Sequence, residues 1–135
     1  MTMTKLPDAV RTKLEAPNFW HLATINPDGW PQVSAMWVDI EGDDIIMNTA
    51  IGRRKERNLR RDPRLTLSMH EQGNAYENVE IRGKVVEFVE GDAAIDSINR
   101  LAKKYIGEDE YPWLTPGERR VKLRVEPTSA HHLAR

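Results

Sequence analysis

Two short turn sequences, Asn26-Pro27-Asp28-Gly29 and Glu41-Gly42-Asp43-Asp44, interrupt runs of alternating apolar and polar residues, and nothing else constrains the chain as much. Proline presets φ and glycine accepts positive φ, so each tetrad reverses the chain within a few residues. The flanking runs must therefore fold back on one another as hairpins. Phe19 to Ile25 reads as a strand and Trp30 to Ile40 as its return, with Val33, Ala35 and Trp37 on one face and Ser34, Met36 and Val38 on the other. Ile45 to Thr49 reads as a third strand. Arg64 to His70, Tyr76 to Glu90 and Arg119 to Glu126 complete six, with a loop at Glu71 to Ala75. In the long fifth strand the apolar parity passes from Val79, Ile81 and Val85 to Val86 and Phe88. A parity change beside Gly83 predicts a bulge or sharp bend, as closing a small barrel requires.

Two further segments carry helical periodicity. Leu6 to Ala16 places Leu6, Val10 and Leu14 on one stripe, and Asp92 to Ile106 does the same with Ala94, Ile98, Leu101 and Tyr105. Asp92 is the expected cap of the longer helix and Gly107 its stop. That helix is expected to cover an opening or an edge of the barrel. Strands and helices do not alternate, and no Gly-x-Gly-x-x-Gly is present, so a doubly wound parallel sheet is excluded. The reading is a mainly β chain, α+β by its helix content, built as a small antiparallel barrel.

At 135 residues the chain is expected to be one domain spanning 1–135. No run is long and apolar enough to span a bilayer, and Met1 to Lys13 lacks the apolar core of a secretory signal. Cysteine is absent, so disulfides and thiolate metal sites are excluded and a cytoplasmic location is the expectation. A net charge of -1 argues against a dedicated nucleic-acid coat.

Against that near-neutral total stands Ile51-Gly-Arg-Arg-Lys-Glu-Arg-Asn-Leu-Arg-Arg-Asp-Pro63, with Arg53, Arg54, Lys55, Arg57, Arg60 and Arg61 facing only Glu56 and Asp62. A strand ends at Asn48-Thr49-Ala50, turns at Gly52, and gives way to a short basic helix stopped by Asp62-Pro63. Free N–H groups at a helix start, flanked by Arg and Lys, make an anion site, typically for phosphate. A solvated helix face is the competing reading of the same charges. No aromatic residue lies between Trp37 and Tyr76, so stacking platforms do not interleave with these cations as a nucleic-acid binder needs.

Conventional catalytic groups are missing. His21, His70, His131 and His132 lack metal-ligand spacing apart from the adjacent pair in an expected frayed tail. Ser34 and Ser68 have no nucleophile-elbow context. An enzyme so composed draws its reactivity from a bound organic cofactor. Met36, Trp37, Tyr76 and Trp113 flank turns near the anion site, and a flat heteroaromatic ring could lie along Val33 to Val38.

In the order and spacing of its motifs the chain resembles the flavin/deazaflavin oxidoreductases with a split β-barrel, related to pyridoxamine 5'-phosphate oxidase. It looks most like the B-type branch that uses coenzyme F420. The motifs are Phe19-Trp-His-Leu-Ala-Thr24, Asp28-Gly-Trp-Pro-Gln-Val33, Met36-Trp-Val38, Asn48-Thr49 with Gly52-Arg-Arg-Lys55, Asn58-Leu59, Asp62-Pro-Arg64, Val79-Glu-Ile-Arg-Gly83 and Gly117-Glu-Arg-Arg-Val121. The resemblance implies an FMN-binding-like split barrel that forms a homodimer with two interfacial sites. It implies a deazaflavin-type ring against Ser34, Ala35, Met36 and Trp37. A phosphate would be held by Arg54 and Lys55, beside Arg53 of the same basic turn and helped by Thr49, Ala50 and Asn58. The partner subunit would close the site with Asn74 to Asn78, including Tyr76. The implied activity is an F420H2-dependent reductase that transfers a hydride to an electron-poor conjugated small molecule. FMN-dependent chemistry on the same fold and an F420 carrier with little turnover are the alternatives. The surplus Arg53, Arg57, Arg60 and Arg61 suggest a longer anionic tail, such as the oligoglutamate of the deazaflavin.

Overall fold

The computed structural model describes residues 5–135. Seven antiparallel strands form one sheet in the order β2-β1-β5-β6-β7-β4-β3, accompanied by three helices. The strands are β1 (Trp20–Ile25), β2 (Pro31–Met36), β3 (Asp39–Glu41), β4 (Asp44–Ala50), β5 (Arg64–Glu71), β6 (Asn74–Val89) and β7 (Arg120–Leu133). The helices are α1 (Asp8–Glu15), α2 (Arg54–Arg61) and α3 (Asp92–Ile106). The inward side chains of β1, β4, β5, β6 and β7 meet in a single core with Trp20, Leu67 and Leu123 fully buried, so the sheet curls around it as a split barrel.

Six expected strands become seven because the return of the first hairpin breaks at Trp37-Val38. There the backbone leaves the ladder and bonds to α3 instead. Val38 N–H donates to the Tyr105 hydroxyl at 3.0 Å, and Val38 C=O accepts from Lys104 Nζ at 2.5 Å. Lys104 also caps the end of α1 by donating to Leu14 C=O at 2.6 Å. The expected stripe of α1 is buried, and Leu6 N–H donates to Asp43 in the β3–β4 turn at 3.1 Å. This helix therefore plugs one end of the barrel.

The parity change in β6 has two sources. Arg82 pairs Ser129 while Gly83 pairs Pro127, which leaves Thr128 as an extra residue on β7. Val85 pairs Val125 while Glu87 pairs Arg124, which leaves Val86 as an extra residue on β6. The Val86 bulge turns the apolar parity, and Gly83 serves a different need. A Cβ at Gly83 would lie 2.8 Å from Glu126 C=O, so only glycine lets the two strands approach there.

Other boundaries differ from the sequence reading. Gly91, not Asp92, holds the N-cap of α3, at φ 74°, a conformation that suits glycine. The loop expected over Glu71 to Ala75 is a two-residue turn, because Asn74 already begins β6. The expected frayed tail is strand. β7 continues to Leu133, with His131 and His132 opposite Glu80 and Val79, and His132 contacting the Glu77 carboxylate. The strand β4 is buried almost throughout, because α3 covers its outer face and anchors there through Asn48 Nδ2, which donates to Ala94 C=O at 2.8 Å.

Candidate functional site

The site begins where β4 ends. Thr49 and Ala50 close the strand, Gly52 turns the chain at φ 98°, and α2 starts with Arg53 at its N-cap. Glu56 reaches back to accept from Gly52 N–H at 2.9 Å and pairs with Arg60 at 2.8 Å. Burial pushes its carboxyl up, but these hydrogen bonds outweigh burial and leave it lowered. The one acid inside the basic run thus holds the turn and a neighbouring arginine. The N-cap residue Arg53 makes no side-chain capping bond, so among the described residues the leading N–H groups of α2 stay available.

Lys55 is the half-buried cation of the basic run, and it is left without a carboxylate partner among the described residues. Its Nζ lies 3.2 Å from Met36 Sδ, and no salt bridge to it occurs among the described residues. Burial holds its ammonium below the ordinary lysine value, and the positive charges of Arg53 and Arg120 lower it further. Thr49 stands beside it with a hydroxyl that is 1% exposed as a residue and has no hydrogen-bond partner among the described residues. A buried unsatisfied hydroxyl next to an unpaired ammonium is a fixed polar geometry waiting for an acceptor.

These groups floor a cleft of about 190 Å³. Ala35, Met36 and Trp37 of the first hairpin form one side, with Asn48, Thr49, Arg53, Lys55 and Arg120 below. Tyr111 and Trp113, from the loop between α3 and β7, complete the lining with Phe19. Trp37 stacks on Tyr105 at 5.3 Å and 12°, and Tyr111 and Trp113 both approach it at 6.2 Å. Tyr105 is locked in turn, because its hydroxyl donates to Asn18 C=O at 2.6 Å, and burial raises its pKa to about 12. The lining thus combines cations with a cluster of flat rings, and Arg120 touches both, 5.1 Å from the centre of the Tyr111 ring.

Of the residues singled out from sequence, Ala35, Met36, Trp37, Thr49, Arg53 and Lys55 come together in this cleft. Ser34 lies on the inward face of β2, its buried hydroxyl without a partner among the described residues. Ala50 is buried and accepts from Arg53 N–H at 3.3 Å, which shapes the turn. Arg54 points away from the cleft, into a separate groove with Asn26, Pro27 and Asp28. Asn58 is fully buried and donates to Thr24 Oγ1 at 3.0 Å and Asn26 Oδ1 at 2.9 Å, tying α2 to the first hairpin. Asn74, Tyr76 and Asn78 sit at the start of β6 and do not line their own chain's cleft. The surplus arginines are partly accounted for within the chain. Arg60 contacts Glu56 and Glu90, and Arg61 donates to Ile25 C=O.

Sequence reasoning passed over Asn48, Tyr111 and Arg120 as site residues. Arg120 carried a signal in the motif Gly117-Glu-Arg-Arg-Val121, but strand alternation alone does not reveal a buried arginine facing a cleft. Among the described residues no group of His, Cys, Asp or Glu is arranged to hold a metal, and no helix is long and apolar enough to cross a membrane.

Comparison with known proteins accords with this architecture. The family model described as pyridoxamine 5'-phosphate oxidase matches residues 6–133. A solved structure called F420 reductase is 32% identical, with a TM-score of 0.80, over 93% of this chain and 98% of its own. A conserved hypothetical protein of Mycobacterium tuberculosis is 22% identical, with a TM-score of 0.73, over 98% of this chain and 89% of its own. General Stress Protein 26 of Bacillus anthracis shares the fold at 15% identity and a TM-score of 0.66, over 91% and 90% of the two chains. No curated protein sequence matches significantly. With a family match over nearly its whole length, and a split barrel built around an anion-ready turn, the chain belongs to the pyridoxamine 5'-phosphate oxidase family, as an oxidoreductase of the flavin/deazaflavin type.

Proposed function

We propose that this protein is an F420H2-dependent reductase acting on an electron-poor conjugated small molecule. The observation that carries the reading is one cleft lined both by an unpaired ammonium with an orphan hydroxyl and by a cluster of flat rings. Lys55, Arg53 and the uncapped amides of α2 would hold the phosphate of the cofactor, with Thr49 donating from below. Ala35, Met36 and Trp37 would support its ring, and the reduced deazaflavin supplies the hydride when bound. The aromatic side of the cleft excludes water and orients a planar acceptor. The 32% identity to a protein called F420 reductase favours the deazaflavin over FMN. Asn58 enters this reading as a positioning residue that fixes α2 against β1.

A second copy of the chain completes the proposed site. The cleft's volume of about 190 Å³ is small for a three-ring cofactor. Beside it the outer face of the first hairpin presents Val33, 58% exposed, opposite Ala23, with the exposed Ala35 adjacent. Docking a partner there would cover this apolar strip and bring the partner's loop to the cleft, with Tyr76, 67% exposed, as the available aromatic. A cytoplasmic location suits such a cofactor and belongs to the same proposal.

The test is turnover. Reduced F420 mixed with the protein should be reoxidised on addition of an activated alkene or quinone-like acceptor, and light scattering should report a dimer. Tight F420 binding with no acceptor-dependent oxidation across a broad panel would leave the carrier reading. FMN binding without F420 binding would overturn the cofactor assignment.

A further inference from the structure

Arg120 is a buried cation in an unusual position. Its side chain is 3% exposed, and it enters from the start of β7, opposite Ala50 at the end of β4. Nε donates to Asn48 Oδ1 at 3.0 Å, and α3 fixes that amide through Ala94 C=O. Nη1 donates to Glu118 at 3.0 Å, and the guanidinium lies 5.1 Å from the centre of the Tyr111 ring. Glu118 is itself held by Thr115 Oγ1 at 3.1 Å. Tyr111 meets Trp113 edge-on at 5.7 Å and Trp37 at 6.2 Å. One side chain therefore joins the floor of the cleft to the loop that carries its aromatic wall.

A buried charge costs several kcal/mol unless its partners compensate, and Arg120 has one carboxylate partner, Glu118, while Arg53 and Lys55 in the same cleft have none among the described residues. A neutral amide could strap the loop at lower cost. The charge is explained if an anion arrives beside it. A guanidinium has five N–H donors, and Nη2 of Arg120 finds no acceptor among the described residues. Arg120, Arg53 and Lys55 line the same cleft, so an anion there would face all three.

We propose that Arg120 joins Arg53 and Lys55 as the third cation of a phosphate seat and couples occupation of that seat to the placement of Tyr111 and Trp113. The inference rests on reading the cleft as an anion-bearing cofactor site, and it concerns the phosphate alone. Phosphate drawn to Arg120 competes with Glu118, and any shift of the Arg120–Glu118 pair moves the loop through Thr115 and the Tyr111 ring.

The experiment titrates the full chain with inorganic phosphate and follows both binding and tryptophan emission. The wild type should bind phosphate with a change in emission that Trp113→Phe abolishes. Arg120→Met should weaken phosphate binding about tenfold, the loss of a charge-assisted hydrogen bond. Arg120→Lys and Glu118→Gln keep a cation at position 120 but break the fork or its tether. Both should retain binding within about threefold and lose most of the emission response. A purely structural strap would leave phosphate affinity and emission response intact in every variant that folds. The proposal is overturned by an emission response in Arg120→Lys and Glu118→Gln equal to wild type. It is also overturned if the wild type shows no phosphate-dependent change. If Arg120→Met does not fold, the other two variants decide. Phosphate coupling without F420 binding would leave this inference standing and remove the proposed function; F420 turnover without coupling would do the reverse.

Discussion

On the outer face of β3, β4, β6 and β7 the charges of this protein come in pairs, whereas in the cleft Arg120 alone has a carboxylate partner and Lys55 has none among the described residues. Arg124 reaches Glu41 at 2.7 Å, Asp44 at 3.2 Å and Glu87 at 3.2 Å, and Lys122 joins Glu41 at 2.8 Å. Hydrogen bonds from Lys122 and Arg124 lower the Glu41 carboxyl, and Glu41 in turn raises Arg124. In the cleft, Lys55 is half-buried with no carboxylate partner among the described residues, and its ammonium is lowered by burial. The outer network is half-exposed and individually weak. The cleft holds a cation at a cost in folding energy, and such a cost persists where a ligand repays it.

The largest effect expected from breaking this contrast lies under the cleft. Asn58→Ala would leave Asn26 Oδ1 without its buried donor and loosen α2 from the hairpin. It should cost about 2–3 kcal/mol of stability, read by denaturant unfolding, and weaken cofactor binding at the same time.

A pH titration sharpens the contrast next. Because the folded-state pKa of Lys55 lies below its unfolded value of 10.5, its burial penalty is fully present at neutral pH and fades as pH rises through the folded pKa toward 10.5. Anion binding runs the other way. Phosphate or cofactor affinity should fall as pH rises through that lowered pKa, while Lys55→Arg should hold its affinity to higher pH. An affinity flat across the alkaline range would show that the Lys55 charge is not used.

The smallest effect belongs to the paired face. Glu41→Gln should lower stability by less than about 1 kcal/mol, by an amount that shrinks with added salt, and leave cofactor affinity unchanged. A change in affinity there would mean that the two regions are not independent.

Much of this architecture was legible because its signals are local. The turns at Gly29 and Gly42, the basic helix stopped by Asp62-Pro63 and the stripe of α3 are each encoded within about a dozen residues. Thr49, Arg53 and Lys55 could be placed together because one turn connects them. The break at Trp37-Val38 was not legible, since it depends on Tyr105 and Lys104, more than sixty positions away. Arg120 was hidden for the same reason, since its partner Asn48 lies 72 residues earlier. Asn58 misled in the opposite direction. Its place in a family motif pointed to the phosphate, while its side chain spends its donors on Thr24 and Asn26. The tail at His131 and His132 looked frayed because its partner strand lies far away in the chain, yet β6 holds it through Leu133.

What most needs testing is that Lys55 is kept half-buried and unpaired for the phosphate of a cofactor. Isothermal titration of wild type and Lys55→Met with F420, with a thermal melt of each free protein, tests it most directly. Lys55→Met should bind F420 more weakly by about 1.5–3 kcal/mol while its Tm stays equal or rises, because a half-buried, unpaired charge has been removed. Undiminished F420 affinity in Lys55→Met, or a lowered Tm, would contradict it.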